Sequence, residues 1–321
     1  MALKNLDRFK IKTELAKRLC YTMYEAEDER DGKLVLLKVL EEARAKDRHS
    51  TLHFLNGARV ASLLDNPNIC KIYHFGGDLG RYFIASEPVE YQPFRSIIKA
   101  DFALSFEDLI EMFMRIGRAL RYAHLQGAIH GLLNPDSIFI NSSGDIKIDD
   151  FGFNWYIPQI FQRTDKEALQ FVCYTSPELF QEGQYDGRVD IYSLGIILHN
   201  LINGAPPFNG GTLSRLQKSH LSNELPPLNL TEKGLPQELE NIVQRAISLR
   251  DGIRFLNFKD FLDSMELLRR GHLELADAPL EPTAAEQLVL QKHFEDGEYK
   301  IDYSSKNRRA FSISPKKLAA T

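Results

Sequence analysis

Between Phe9 and Val39 apolar and polar residues alternate in three short runs, Phe9-Lys10-Ile11, Met23-Tyr24-Glu25-Ala26 and Leu34 to Val39. Polar turns such as Glu29-Arg30-Asp31-Gly32 separate them. Alternation bounded by turn residues predicts strands. From Glu41 to Leu64 the period lengthens, and Leu52, Leu55, Val60, Leu63 and Leu64 lean to one face, which predicts a helix. Asn66-Pro67-Asn68 ends it, because the residue before a proline avoids helical backbone angles. The runs Lys71 to His74 and Tyr82 to Ala85 predict two more strands. The first part of the chain therefore predicts five strands and one helix.

Beyond residue 90 the pattern turns helical. Ser105, with Asp108 three residues on, predicts a capped helix start, and Leu109, Phe113, Ile116, Leu120 and Ala123 recur at helical spacing towards Gly127. Ile138-Phe139-Ile140 and Ile146-Lys147-Ile148 flank a turn from Asn141 to Gly144 and predict a hairpin with polar residues at both mouths. From Gly187 helices dominate, broken at Gly204 to Phe208 and at Pro226-Pro227. We expect residues 1–8 to be a lead, 9–90 a small lobe and 91–271 a larger one. Residues 272–321 read as a polar tail with one helical patch, Thr283 to Phe294, opened by the capping pair Thr283 and Glu286.

The 321 residues are 43% hydrophobic and 26% charged, an ordinary globular balance. A net charge of -4 without a basic, aromatic-laced stripe argues against nucleic acid as a partner. Cys20, Cys70 and Cys173 are far apart and not at ligand spacing, so they read as small core residues in a reducing compartment. Met1 to Arg8 is polar and no apolar leader follows; Ile191 to Ile202 is too short and too polar to span a bilayer. The expectation is a cytoplasmic protein without membrane association.

His130-Gly131-Leu132-Leu133-Asn134-Pro135-Asp136-Ser137, followed by Asp150-Phe151-Gly152, resembles the catalytic and metal-binding loops of the eukaryotic-type (Hanks-type) protein kinases, His-Arg-Asp-Leu-x-x-x-x-Asn and Asp-Phe-Gly. Ser176-Pro177-Glu178 resembles the family's Ala-Pro-Glu. Asp190 to Gly195 resembles the start of its central buried helix, and Pro206-Pro207-Phe208 follows at the usual distance. Arg254 stands where the family's arginine pairs with the Glu of Ala-Pro-Glu, here Glu178. The resemblance covers residues 9 to 271. It implies an α+β, two-lobed protein-kinase-like fold, with a small five-stranded β lobe carrying one helix and a larger, mainly helical lobe.

The functional positions depart from that pattern. Pro135 sets a register in which Leu132 replaces the catalytic Asp and Ser137 the metal-binding Asn. The glycine-rich loop, whose bare backbone approaches phosphates in the family, has Ala16, Arg18, Tyr21 and Met23 at its motif positions. Tyr21 would project either into the phosphate space or away from the cleft. Lys38 matches the phosphate-binding lysine, but its helix glutamate is replaced by Gly57. Leu36, Met23 and Phe139 enlarge the walls of the adenine pocket, while Ser86 is small at the back. Phe171 replaces the threonine that holds the catalytic Asp, so both members of that pair have become apolar. Gly131 replaces the arginine that would receive an activation-loop phosphate.

Loss of the general base alone costs about 10²- to 10⁴-fold in rate. The resemblance, with these departures, implies a pseudokinase that requires no cofactor. It would act as a binding, scaffold or allosteric module for another protein, such as an active kinase or a phosphatase. The alternative is an atypical ATP-dependent serine/threonine kinase using Lys38 and Asp150, with ATP and Mg²⁺ as weak ligands and Asp150 as the metal ligand. The simpler reading is that Lys38, lacking its glutamate, pairs with Asp150 across an empty cleft, which would avoid burying a lone charge. His130, Asp190, Glu178 and Arg254 are expected in structural roles. Arg308 to Ser312 and Ser314-Pro315 look like kinase-substrate motifs, although a solvated tail is the simpler reading.

Overall fold

The computed structural model describes residues 4–271, apart from residues 19, 89–91, 100–103, 142, 181–184 and 251. The small-lobe runs form one antiparallel sheet of six strands in the order β1-β2-β3-β4-β6-β5. These are β1 (Asn5–Leu6), β2 (Phe9–Lys17), β3 (Tyr21–Asp28), β4 (Leu34–Leu40), β5 (Ile72–Asp78) and β6 (Arg81–Ser86). The strand beyond the expected five is β1, which turns at Asp7 and pairs Leu6 with Phe9. Strand β2 runs past Ile11 to Lys17, but it buries only Phe9, so its outer half carries no alternation to read.

Strand β4 shows how the pleat builds the cleft. Its side chains alternate between two faces. Val35, Leu37 and Val39 join Leu6, Phe9 and Phe83 in a core on one side of the sheet. Leu36 and Leu40 pack into the cluster on the other side, and the same alternation puts Lys38 there. The single helix expected from Glu41 to Leu64 is two, α1 (Glu42–Ala45) and α2 (Arg48–Ser62). They break at Asp47, whose carboxylate accepts from the His49 and Ser50 amides and caps α2.

The large lobe begins with β7 (Gln92–Pro93) and α3 (Phe94–Lys99), followed by α4 (Phe106–Leu125). Ser105 caps α4 by accepting from the Asp108 amide. Strands β8 (Ile138–Ile140) and β9 (Ile146–Ile148) form the expected hairpin, with β7 as a third strand beside β8. A 3-10 turn (Asn154–Tyr156), α5 (Ile157–Ile160) and α6 (Lys166–Val172) follow, in a stretch where the sequence pattern predicted nothing regular. Helix α7 (Arg188–Asn203) is buried on nearly every side, and α8 (Leu213–Ser222), α9 (Leu239–Ala246) and α10 (Phe258–Arg269) surround the lobe.

A further apolar cluster spans both lobes. Tyr21, Leu36 and Phe54 from the small lobe meet Leu132, Phe153 and Trp155 from the large one. This cluster occupies the cleft. The tail readings, Thr283 to Phe294 and the motifs around Ser312 and Ser314, lie outside the described residues.

Candidate functional site

The site is assembled by β3, β4, α2, the loop from His130 to Ser137, and the segment after β9. Strand β9 ends at Ile148, and Asp149 and Asp150 follow it. Lys38, 2% exposed, reaches across from β4 to both carboxylates: its Nζ lies 2.6 Å from Asp149 Oδ1 and 2.7 Å from Asp150 Oδ1. Burial alone would lower the lysine's pKa, but the two carboxylates outweigh it and raise it. Burial likewise pushes the Asp150 carboxyl up, and Lys38 and Tyr21 overcome that and hold it below its ordinary value. Asp150 itself takes a left-handed backbone conformation, φ 64°.

Tyr21 points into the cleft. Its hydroxyl donates to Asp150 Oδ1 at 2.7 Å, and its ring tilts against Phe153 with centroids 5.0 Å apart. Burial and the Asp150 charge push its phenol well above the usual range, so the proton stays in place to be donated. Lys38 Nζ lies 5.4 Å from the centroids of both rings.

The helix position that lacks glutamate is in direct contact with the metal-type loop. Gly57 on α2 packs its backbone against that of Gly152, and a β-carbon on Gly57 would lie 2.9 Å from the Gly152 carbonyl carbon. No side chain fits there, so Lys38 takes its acids from the segment after β9 instead.

The loop before β8 keeps its shape without reactive groups. Leu132 is buried in the two-lobe cluster, and Phe171 packs against the same cluster. Ser137 Oγ donates to the Asn134 carbonyl at 2.9 Å and accepts from the Asn134 amide at 3.1 Å, closing a local turn. His130 is fully buried: Nδ1 accepts from the Leu132 amide and Nε2 donates to the Asp149 carbonyl. Burial lowers its pKa, in keeping with a neutral ring whose two nitrogens both serve the backbone. Asp190 accepts from the amides of His130 and Gly131 and from His124 Nε2, which ties the loop to α7. Gly131, at φ 73°, sits against Asn154 Cβ, where a β-carbon would approach to 3.0 Å.

Other positions lie further out. Arg254 Nη2 is 2.8 Å from Glu178 Oε1, and the arginine is buried. Asp136 is held by Arg95 at 2.7 Å, with Arg18 at 3.9 Å, at the mouth of the cleft rather than beside Asp150. Met23, Leu36 and Phe139 are all buried. Ser86 and Cys70 line a cavity beside Lys38 that is roughly the size of a single water molecule.

The structure thus brings Lys38, Asp150 and Tyr21 together and keeps Ser137, His130 and Asp136 apart from them. Sequence reasoning missed Asp149 as the second acid on Lys38. Two consecutive carboxylates after a buried strand were the available signal. It also missed the helical stretch that packs His53 against Trp155 and Arg44 against Tyr156.

A nucleotide with its metal does not fit this arrangement. Asp150 is engaged by Lys38 and Tyr21, Ser137 is turned into its own loop, and Tyr21 stands over Phe153. Among the described residues no three His, Cys, Asp or Glu side chains converge on one point. Among those residues, too, no helix is long and apolar enough to cross a membrane.

The sequence pattern of the protein kinase domain family matches residues 21–268. The chain is 32% identical over 224 residues to the serine/threonine-protein kinase PrkC of Bacillus subtilis, covering 70% of this chain and 35% of that protein. It is 27% identical over 267 residues to a probable serine/threonine-protein kinase of Clostridium acetobutylicum, covering 83% of this chain and 41% of that one. The chain therefore spans well under half the length of these two relatives. The crystal structure of the PknI kinase domain of Mycobacterium tuberculosis, C20A mutant, superposes with a TM-score of 0.65 at 25% identity, covering 83% of this chain and 98% of that one. With the two lobes, the loop order and this match in agreement, the chain belongs to the protein kinase family of the Hanks, serine/threonine-kinase-like type.

Proposed function

We propose that this member of the family is a pseudokinase, a catalytically inactive module that works by binding another protein. The observation that carries the reading is Leu132. It takes the position of the family's proton acceptor and lies in an apolar cluster that Phe171 also packs against. Replacing both partners of a buried hydrogen bond by apolar groups leaves no orphan, so the loop is stable without the chemistry. The self-contained ion pairs of Lys38 support the same reading. The partner fits the surface of the helical lobe or the tail, with an active kinase or a phosphatase as the class to try first, in the cytoplasm and without nucleic acid.

A second reading keeps Lys38 and Asp150 as working groups of an atypical ATP-dependent serine/threonine kinase, and the retention of these two residues at the family's lysine and metal-loop positions is what favours it. Radiolabelled phosphate transfer to generic protein substrates and to the chain itself separates the two. The pseudokinase reading expects no transfer above background. Metal-dependent transfer abolished by Lys38→Ala or Asp150→Ala would overturn it in favour of the second.

A further inference from the structure

We infer that the outer face of α4 is a docking surface for this chain's own acidic segment, residues 272–299, held by charge along the helix and by apolar contact at its far end. Glu111, Arg115, Arg118, Tyr122 and Leu125 recur at alternating steps of four and three residues, so they form one line along α4. Arg118 is half exposed, and Leu125 at the end of the line is 48% exposed. The Tyr122 hydroxyl accepts from the Asp65 amide at 3.1 Å, which brings the end of α2 to the same place, where Leu63 is 75% exposed. The face therefore runs from arginines to an apolar end.

Its charge is an excess of arginine. Glu111 is shared by Arg115, Arg118 and Arg269, and Glu266 by Arg269 and Arg270. Asp145, 3.6 Å from Arg115, is the remaining acid of the network. Each guanidinium has several N–H donors, more than these carboxylates engage together, so donors are left facing water and suited to further carboxylates.

The position and charge of the following segment select the occupant. Helix α10 ends at Arg269, 3.6 Å from Glu111, so residue 272 starts at the charged end of the line. Residues 272–299 hold seven acids against one lysine, Lys292. Residues 300–321 hold six basic residues against Asp302, the wrong sign for this face. From Glu111 to Leu125 the helix rises about 21 Å. The chain from Gly271 to Thr283 reaches about 40 Å when extended, so Thr283 to Phe294 can lie at the far end. That stretch, whose pattern predicts a helix, brings Leu288, Val289, Leu290 and Phe294 to Tyr122, Leu125 and Leu63. The order agrees on both sides: Glu274, Asp277 and Glu281 precede the apolar residues, as Arg115 and Arg118 precede Leu125. A protein partner that uses this side of the helical lobe has to compete with the segment.

Docking of the segment does not depend on the pseudokinase reading, since its readout is amide exchange and not phosphate transfer. Hydrogen exchange of the full chain is followed in peptides covering residues 283–294. Their amides are expected to exchange at least about tenfold more slowly in the unaltered chain than in Arg115→Glu/Arg118→Glu. Glu281→Arg/Glu295→Arg leaves the domain and the capping pair Thr283 and Glu286 untouched, and is expected to lose the protection too. Combining the two reversed pairs is expected to restore it. Protection should not change with chain concentration. The inference is overturned if these amides are unprotected in the unaltered chain, if either reversed pair leaves the protection intact, or if the combination fails to restore it. Protection that falls on dilution would assign the segment to a second copy and overturn it as well. Should Arg115→Glu/Arg118→Glu lack a cooperative unfolding transition, Leu125→Asp takes its place as the domain-side variant, with loss of protection expected and retention overturning the inference.

Discussion

The backbones of Gly57 and Gly152 are pressed together so closely that a β-carbon on either one overlaps the other. Both neighbours are main chain, so neither can rotate away. Gly57→Ala should therefore cost about 1–3 kcal/mol, the usual range for overpacking a rigid interior. For a domain of this size that lowers the melting temperature by roughly 2–4 °C per kcal/mol. Gly57→Glu should destabilise further and should not recreate a helix partner for Lys38. Thermal unfolding checks this, and an unchanged melting temperature for Gly57→Ala would show that α2 and the Asp150 loop can move apart.

Restoring the family's acid at Leu132 should harm the protein rather than activate it. A carboxylate there enters a cluster lined by Tyr21, Leu36, Phe153 and Trp155. With no paired donor, burial costs roughly 3 kcal/mol or more, or forces the group to take up a proton. Urea titration of Leu132→Asp should show that loss, and a phosphate-transfer assay should stay at background. Transfer by this variant would mean the cleft can open around a substrate.

Lys38 should act as a structural cation whose removal reverses the pH dependence at this site. In the intact chain the Asp150 pKa lies below its unfolded value of about 3.9. Its contribution is thus complete above pH 4 or so and is lost as the pH falls through the folded value. In Lys38→Met both carboxylates lose their counter-ion, and burial, which already pushes the Asp150 carboxyl up, then raises its pKa above the unfolded value. Stability should drop by about 3–5 kcal/mol at neutral pH and recover as the pH is lowered. Urea midpoints at pH 5 and pH 8 test the sign, and a variant that remains more stable at the higher pH would contradict it.

His220 supplies a separate acid-sensitive element. It is fully buried, pairs through Nδ1 with the Tyr192 hydroxyl at 2.7 Å, and burial holds its pKa down to about 4. The unfolded chain binds the proton near pH 6.5, so stability is complete above that value and falls as the pH drops from there towards 4. Between pH 7 and pH 5 this group should remove about 2 kcal/mol. His220→Gln should flatten that portion of the stability curve. An unchanged slope in equilibrium unfolding would place the titration elsewhere.

Much of the architecture was legible because period and punctuation report local structure directly. The hairpin around Asn141 to Gly144 and the capped start of α4 at Ser105 needed nothing from the rest of the chain. The break at Asp47 was missed because apolar spacing continues across it, and only the cap marks it. Strand β2 was shortened because an exposed edge has no buried face to reveal its period. The helical turns from Asn154 to Val172 were invisible for a related reason. The first turn is held by contacts to α2, Phe54 to Phe153 and His53 to Trp155, and α6 packs against α8, all partners distant in sequence.

By itself the sequence determined the family, the lobe order and the substitutions at Leu132, Ser137, Gly57 and the glycine-free loop. These follow from residue identity at motif spacing, which no folding is needed to read. Only the tertiary structure decided the direction of the Tyr21 ring, the choice of Asp149 as the second acid on Lys38, and the backbone contact that excludes any side chain at Gly57. Each of these joins segments far apart in the chain, and their geometry is set by packing between the lobes rather than by local preference.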